Sequence, residues 1–157
     1  LIGPLSSPAQ VKRQVIGVFD KKWMMPFAEA LKENNVVHAY IVHSQDGMDE
    51  ISPFAKTDVV ELKDGTISEF IIDPKDLGIS EGDKENLKGK NADYNAEKII
   101  DIYKGTSNEF SQSVALNAAA GLIVSGKEND FKNAFNKANK HLSSGEVFEH
   151  LIKLQSK

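Results

Sequence analysis

Residues 15–42 read VIGVFDKKWMMPFAEALKENNVVHAYIV, and the class of fold turns on them. Val15-Ile16-Gly17-Val18-Phe19 is continuously apolar, the pattern of a parallel-sheet strand buried on both faces. Trp23, Phe27, Ala28 and Leu31 then recur at helical spacing. Pro26 falls near the first turn, where a missing N–H costs little, and Asn34-Asn35 stops the helix. A second apolar run from Val36 to Val42 follows. Strand, helix and strand in that order make a right-handed βαβ crossover, so the core is an α/β fold.

Outward from this unit, Asp58 to Leu62 and Thr66 to Ile72 flank Asp64-Gly65, a pair that tolerates positive φ at both positions and so predicts a β-hairpin. Residues 73–91 are rich in Asp, Glu, Lys, Gly and Asn and read as a long surface loop with solvated charges. Helices are expected over 95–104, stopped by Gly105, and over 111–124, where Val114, Ala115, Leu116, Ala118, Ala119, Leu122 and Ile123 leave almost no polar face. The second is expected to be buried nearly all round. Two short amphipathic helices end the chain. Phe131, Ala134, Phe135, Ala138 and Leu142 form the stripe of one, and Ser143 with Glu146 has capping-box spacing ahead of Val147, Phe148, Leu151 and Ile152 of the other.

The 157 residues suffice for one domain, and 40% hydrophobic with 27% charged residues describes a globular protein rather than a disordered one. A net charge of −4 gives no general attraction to nucleic acid or an anionic membrane. With no cysteine, disulfides, thiolate nucleophiles and thiolate-ligated metals are excluded, and any metal must take oxygen or imidazole ligands. The longest charge-free stretch, Phe110 to Gly126, is too short and too polar to span a bilayer. A cytoplasmic protein is expected. Leu1 to Leu5 read as the end of an apolar element entering the turn Gly3 to Pro8, and the start is expected to be a cut.

The stretch 43–53, HSQDGMDEISP, carries the most chemistry. It lies just past the carboxyl end of the second strand, where open α/β sheets bind ligands. Asp49 and Glu50 can point into one crevice once Gly47 has bent the backbone, and such a pair suits Mg²⁺, which keeps several waters and is shared with substrate phosphates. The same residues also read as an ordinary solvated turn. Among the four histidines only His43 is placed for chemistry, and a structural hydrogen bond is the favoured role for it. His38, His141 and His150 read as surface or satisfied side chains. Trp23 and the Phe residues read as packing. There is no Walker sequence and no Gly-x-Gly-x-x-Gly in the chain.

Taken together, GPLSSPA (residues 3–9), QVIGVFD (14–20), IVHSQDGMDEIS (41–52), NAEKIIDIYKG (95–105) and ALNAAAGLIVSGK (115–127) resemble the anthranilate phosphoribosyltransferase family over nearly the whole chain. The resemblance implies a cytoplasmic transferase of tryptophan biosynthesis with a nucleoside phosphorylase/phosphoribosyltransferase-like α/β domain. Residues 1–157 would be the carboxyl-terminal part of that domain. It implies Mg²⁺ bound by Asp49 and Glu50, and anthranilate lined by the Gly3-Pro4 turn. The small-molecule substrates implied are phosphoribosyl pyrophosphate and anthranilate, with no nucleic acid and no membrane as partner, and with a homo-oligomer expected from apolar surface at the cut. The family's Gly-Thr-Gly and Lys-His-Gly-Asn loops, its anthranilate-contacting arginine and its amino-terminal helical domain would precede this region, so the chain alone is expected to be inactive. Two departures stand out. Ser7 replaces a usual Asn, and Ser44 replaces a usual Gly after the strand-end histidine. A pyrimidine nucleoside phosphorylase and a non-catalytic metal- or phosphate-binding module are the alternative readings.

Overall fold

The computed structural model describes residues 3–6, 8–80 and 82–156. Leu1 and Ile2 of the expected apolar element, and Ser7, lie outside the described residues. The expected βαβ unit is present as β1 (Arg13–Gly17), α1 (Met24–Glu33) and β2 (His38–Ser44). β1 runs parallel to β2, with Arg13 opposite His38 and Gly17 opposite Val42. The Asp20 side chain accepts from the Lys22 N–H and so caps the short turn that leads into α1. Asn35, at φ +56°, turns the chain out of that helix.

β3 (Thr57–Lys63) and β4 (Thr66–Ile72) are the hairpin, and Asp64 and Gly65 take φ values of +49° and +80°. Two left-handed residues in succession match the twist of the flanking strands. β3 also pairs antiparallel with β2, so the hairpin extends the same sheet in the order β1-β2-β3-β4. The sheet is therefore mixed, with one parallel pair among the described residues.

Alternation along the strands builds a core on each face. Ile16, Val18, Ile41, Val60 and Leu62 pack with Phe27 and Leu31 of α1. Tyr40, Val42 and Val59 point the other way, toward Leu116 and Ala119 of α3 (Glu109–Val124) and Phe135 of α4 (Phe131–Ser143). α2 (Ala92–Tyr103) and α5 (Glu146–Gln155) lie outside these. α3 is fastened at both ends. Asn108 and Ser111 form a reciprocal capping box at its start. The Arg13 guanidinium donates to the Val124 carbonyl at its end, 2.6 Å away, where a cation also suits the helix dipole. No helix among the described residues is long and apolar enough to cross a membrane.

Three local expectations are corrected. The first strand is Arg13–Gly17 rather than 15–19, and Phe19, just past the ladder, is 62% exposed. β1 is an edge strand here, with less cover than a central one. The Ser143–Glu146 capping box does not form. Gly145 takes a left-handed conformation and starts α5 without a side-chain cap, while Glu146 pairs with His141 at 2.8 Å. Nor is α3 buried all round. The sheet and α4 cover two of its sides, and Val114, 40% exposed, continues with Ala118 and Leu122 as one wall of a shallow groove.

The open groove makes a testable contrast. Val114→Gln should change stability by no more than about 0.5 kcal/mol. Leu116→Ala, in the fully buried core next to it, should cost about 2 to 5 kcal/mol. Urea unfolding of the two variants distinguishes them, and similar losses would mean that the groove is closed in solution.

Candidate functional site

β2 delivers the chain to the carboxyl edge of the parallel pair, where residues 45–56 turn back into β3. Gly47 supplies the expected bend at φ +92°. The Ser44 N–H donates to the Met48 carbonyl and the Gly47 N–H to the Ser44 carbonyl, both at 2.9 Å. Asp46 is the internal post of this turn. Its carboxylate accepts from the Met48 N–H at 3.3 Å and from the Ser52 hydroxyl at 2.8 Å, with the Lys84 ammonium 3.8 Å away. Partial burial works to raise its pKa, but hydrogen bonds from Ser44, Ser52 and Met48 and the Lys84 charge outweigh it and hold the carboxyl below its ordinary value.

Asp49 and Glu50 follow as exposed residues. Among the described residues no lysine, arginine or histidine forms an ion pair with either. What is fixed is the backbone that carries them. A Cβ on Gly17 would stand 1.6 Å from the Asp49 carbonyl oxygen, so the loop crosses β1 at a point where no other residue fits. Just beyond, the Asn117 side chain grips the Ile51 backbone at both its groups. Asn117 Oδ1 accepts from the Ile51 N–H at 3.0 Å, and Nδ2 donates to the Ile51 carbonyl at 3.2 Å. The same Nδ2 donates to the Ser113 carbonyl at 3.0 Å and reaches Glu50 Oε2 at 3.5 Å.

Two adjacent, unneutralised carboxylates on a fixed backbone, past the carboxyl ends of parallel strands, fit a hard divalent cation that keeps open positions for water and phosphate oxygens. No group of three His, Asp or Glu side chains that could hold a metal ion converges among the described residues. His43 faces the α1 side of the same edge. Its Nδ1 lies 2.8 Å from the Val18 carbonyl, an acceptor, so Nδ1 carries the proton and the ring is held by the fold. His38 is buried and satisfied by Glu61 at 2.7 Å.

Comparison with known proteins places the chain in a family. The family described as "Glycosyl transferase family, a/b domain" matches residues 1–148. The chain belongs to this family. It is 55% identical over 156 residues to the anthranilate phosphoribosyltransferase of Pelagibacter ubique (strain HTCC1062), covering 99% of the chain and 47% of that relative. The crystal structure of anthranilate phosphoribosyltransferase from Thermus thermophilus superposes with a TM-score of 0.87 at 31% identity, over 97% of the chain and 45% of that protein. The fold is shared as well by the enzyme from Saccharomyces cerevisiae in complex with PRPP and Mg, with a TM-score of 0.82 at 22% identity over 94% of the chain and 43% of that protein. The chain thus spans about half the length of the relatives it matches.

Against the glycosyl transferase family's background the individual residues can be placed. Gly3 and Pro4 form an exposed turn, and Pro4 borders a cleft of about 340 Å³ with Lys12, Gln14, Asn34 and Val36, at the amino ends of β1 and β2. Asp49 and Glu50 stand at the carboxyl ends. The turn and the acidic pair thus lie toward opposite ends of β1. Ser44, the departure from the usual Gly, is fully buried, and its hydroxyl donates to the Lys56 carbonyl at 3.4 Å. Gly17 and Asn117 leave only faint signals in the sequence. A glycine inside an apolar strand marks a close backbone approach, and a lone amide in an Ala- and Leu-rich helix needs a partner.

Two expectations follow. Gly17→Ala should destabilise the chain by about 1 to 3 kcal/mol through overpacking and shift the amide resonances of Asp49 and Glu50. An unchanged urea midpoint and unchanged spectra would contradict the close approach. Asp46 carries a pH signature. Because its folded pKa is lowered, its contribution is present above the unfolded value of about 3.9 and is lost as pH falls through the folded one. Asp46→Asn should therefore melt below the wild type at pH 7, with the gap closing as pH falls below about 3.9. A gap that persists unchanged to acid pH would mean that charge is not what Asp46 supplies.

Proposed function

We propose that the chain supplies the metal-binding side of a phosphoribosyl transfer site, in which anthranilate displaces pyrophosphate from phosphoribosyl pyrophosphate. The observation that carries this reading is the acidic loop, fixed in its backbone and with no ion pair to Asp49 or Glu50 among the described residues, within a chain 55% identical to an anthranilate phosphoribosyltransferase. The structural neighbour in complex with PRPP and Mg supports the same choice of substrate and ion.

In this reaction the bond from ribose C1 to the pyrophosphate oxygen breaks, the anthranilate nitrogen bonds to C1, and the amine releases one proton. The ribose becomes cation-like while negative charge gathers on the departing pyrophosphate. Magnesium, when bound, neutralises that charge. Asp49 and Glu50 would hold it, because they are exposed at this edge and no basic side chain among the described residues neutralises them. Gly17 and the loop bonds keep those carboxylates where the strands end, which is pre-orientation rather than covalent catalysis. His43, with Nδ1 committed to Val18, holds the strand end. Groups that bind the phosphates and anthranilate from the other side of the crevice would come from the part of the relatives that this chain does not span. The soluble cytoplasmic setting of a biosynthetic enzyme belongs to the same proposal.

The chain by itself should therefore leave anthranilate fluorescence unchanged with phosphoribosyl pyrophosphate and Mg²⁺. A chimera in which it replaces the matching portion of the Pelagibacter relative should consume anthranilate. In that chimera Asp49→Asn with Glu50→Gln should raise the Mg²⁺ requirement or the apparent KM for phosphoribosyl pyrophosphate, with the melting temperature nearly constant. A folded chimera that leaves anthranilate untouched would contradict the substrate. An unchanged Mg²⁺ requirement with a large fall in melting temperature would make the pair structural.

A further inference from the structure

Asn117 makes more contacts to the acidic loop than anchoring a backbone requires. Its carbonyl oxygen and one amide hydrogen pair with the Ile51 N–H and C=O much as a neighbouring strand would. That pairing alone would hold the loop. Yet Nδ2 serves three acceptors with two hydrogens, the Ser113 carbonyl at 3.0 Å, the Ile51 carbonyl at 3.2 Å and Glu50 Oε2 at 3.5 Å. The Glu50 contact is the longest and sits at the limit of a hydrogen bond. It engages one of the two carboxylate oxygens. Asn117 is itself rigid, since α3 is capped at Asn108 and tied at Val124 to Arg13.

We propose that Asn117 is a positioning residue for the metal-binding carboxylate of Glu50, acting through its side-chain amide rather than by touching the ion or the substrate. The proposal rests on the reading of Asp49 and Glu50 as the metal-binding pair. Carboxylates that bind metals are themselves held by hydrogen bonds from an outer layer of side chains, and losing one such partner costs about 10- to 100-fold in metal affinity. A glutamate in an exposed loop otherwise loses several rotatable bonds when it binds. The Asn117 amide limits that loss by confining the carboxylate beforehand, and the tie to Ile51 keeps the amide in register with it.

Mn²⁺ binding to the 157-residue chain, followed by electron paramagnetic resonance of the free ion, tests both statements separately. Asp49→Asn with Glu50→Gln should abolish binding; if Mn²⁺ binds the variant as it binds the wild type, or binds neither, the metal reading falls and the positioning role with it. With that reading intact, Asn117→Ala should raise the Kd about 10- to 100-fold, while Leu116→Ala, a purely packing change on the same helix, should leave it unchanged in the folded protein. The effect of Asn117→Ala should also vanish in a Glu50→Gln background, as it must if the amide acts through that carboxylate. Additive effects, or equal losses in Asn117→Ala and Leu116→Ala, overturn the proposal. A measurement on unaltered Asn117 covers the case in which its replacement prevents folding. Mg²⁺ should shift the Asn117 side-chain amide resonances of the wild-type chain, and this shift should be lost in Glu50→Gln. Amide resonances that stay fixed while Mg²⁺ binds the wild type also overturn it.

Discussion

The space left by an absent side chain at Gly17 is the constraint on which the candidate site depends. β1 and β2 lie side by side with Gly17 opposite Val42, and the chain leaving β2 must cross the end of β1 before it can return as β3. It does so with the Asp49 carbonyl where a Cβ would otherwise stand. Any other residue would push the loop off the sheet, and the carboxylates with it. The rest of the arrangement elaborates this contact. Gly47 bends the chain toward β1, Asp46 ties the turn internally, and Asn117 receives the loop on the far side.

The result is a division of labour between backbone and side chains. Polar groups that stabilise the loop are buried or paired. Ser44, Ser52 and Thr57 are fully covered, and Thr57 Oγ1 accepts from the Ser52 N–H. Asp46 is the acid that the fold consumes, and its ionised form is favoured by its own neighbours. Asp49 and Glu50 are the acids that the fold leaves exposed and without an ion pair among the described residues. A loop that stabilised itself through those two carboxylates would have none to give to a ligand.

Much of this was legible in the sequence, and the rest was hidden for identifiable reasons. The βαβ unit follows from apolar runs about a helical stripe, and the hairpin follows from Asp64-Gly65, because both depend on short-range periodicity and turn chemistry. The acidic pair was legible by its place after a strand. The hold of Asn117 on Ile51 joins residues far apart in sequence, and nothing local in ALNAAAGL names the partner. Gly17 looked like an ordinary member of an apolar run, since its neighbour in space comes from a different segment. The Ser143–Glu146 spacing satisfied a local rule that Gly145 pre-empted by starting the helix itself. The open flank of α3 depends on where α4 packs, which the composition of α3 alone does not encode.

The central claim is that the acidic loop has a fixed backbone and carboxylates that no basic side chain among the described residues neutralises. Amide hydrogen exchange of the wild-type chain tests it most directly, because the Ile51 N–H is held by the Asn117 side chain rather than by a strand ladder. The account predicts that the Ile51 amide exchanges slowly, in the range of the β2 amides, while those of Asp49 and Glu50 in the exposed turn exchange rapidly. An Ile51 amide that exchanges as fast as its two neighbours would mean that the loop is not held in solution, and would contradict the account.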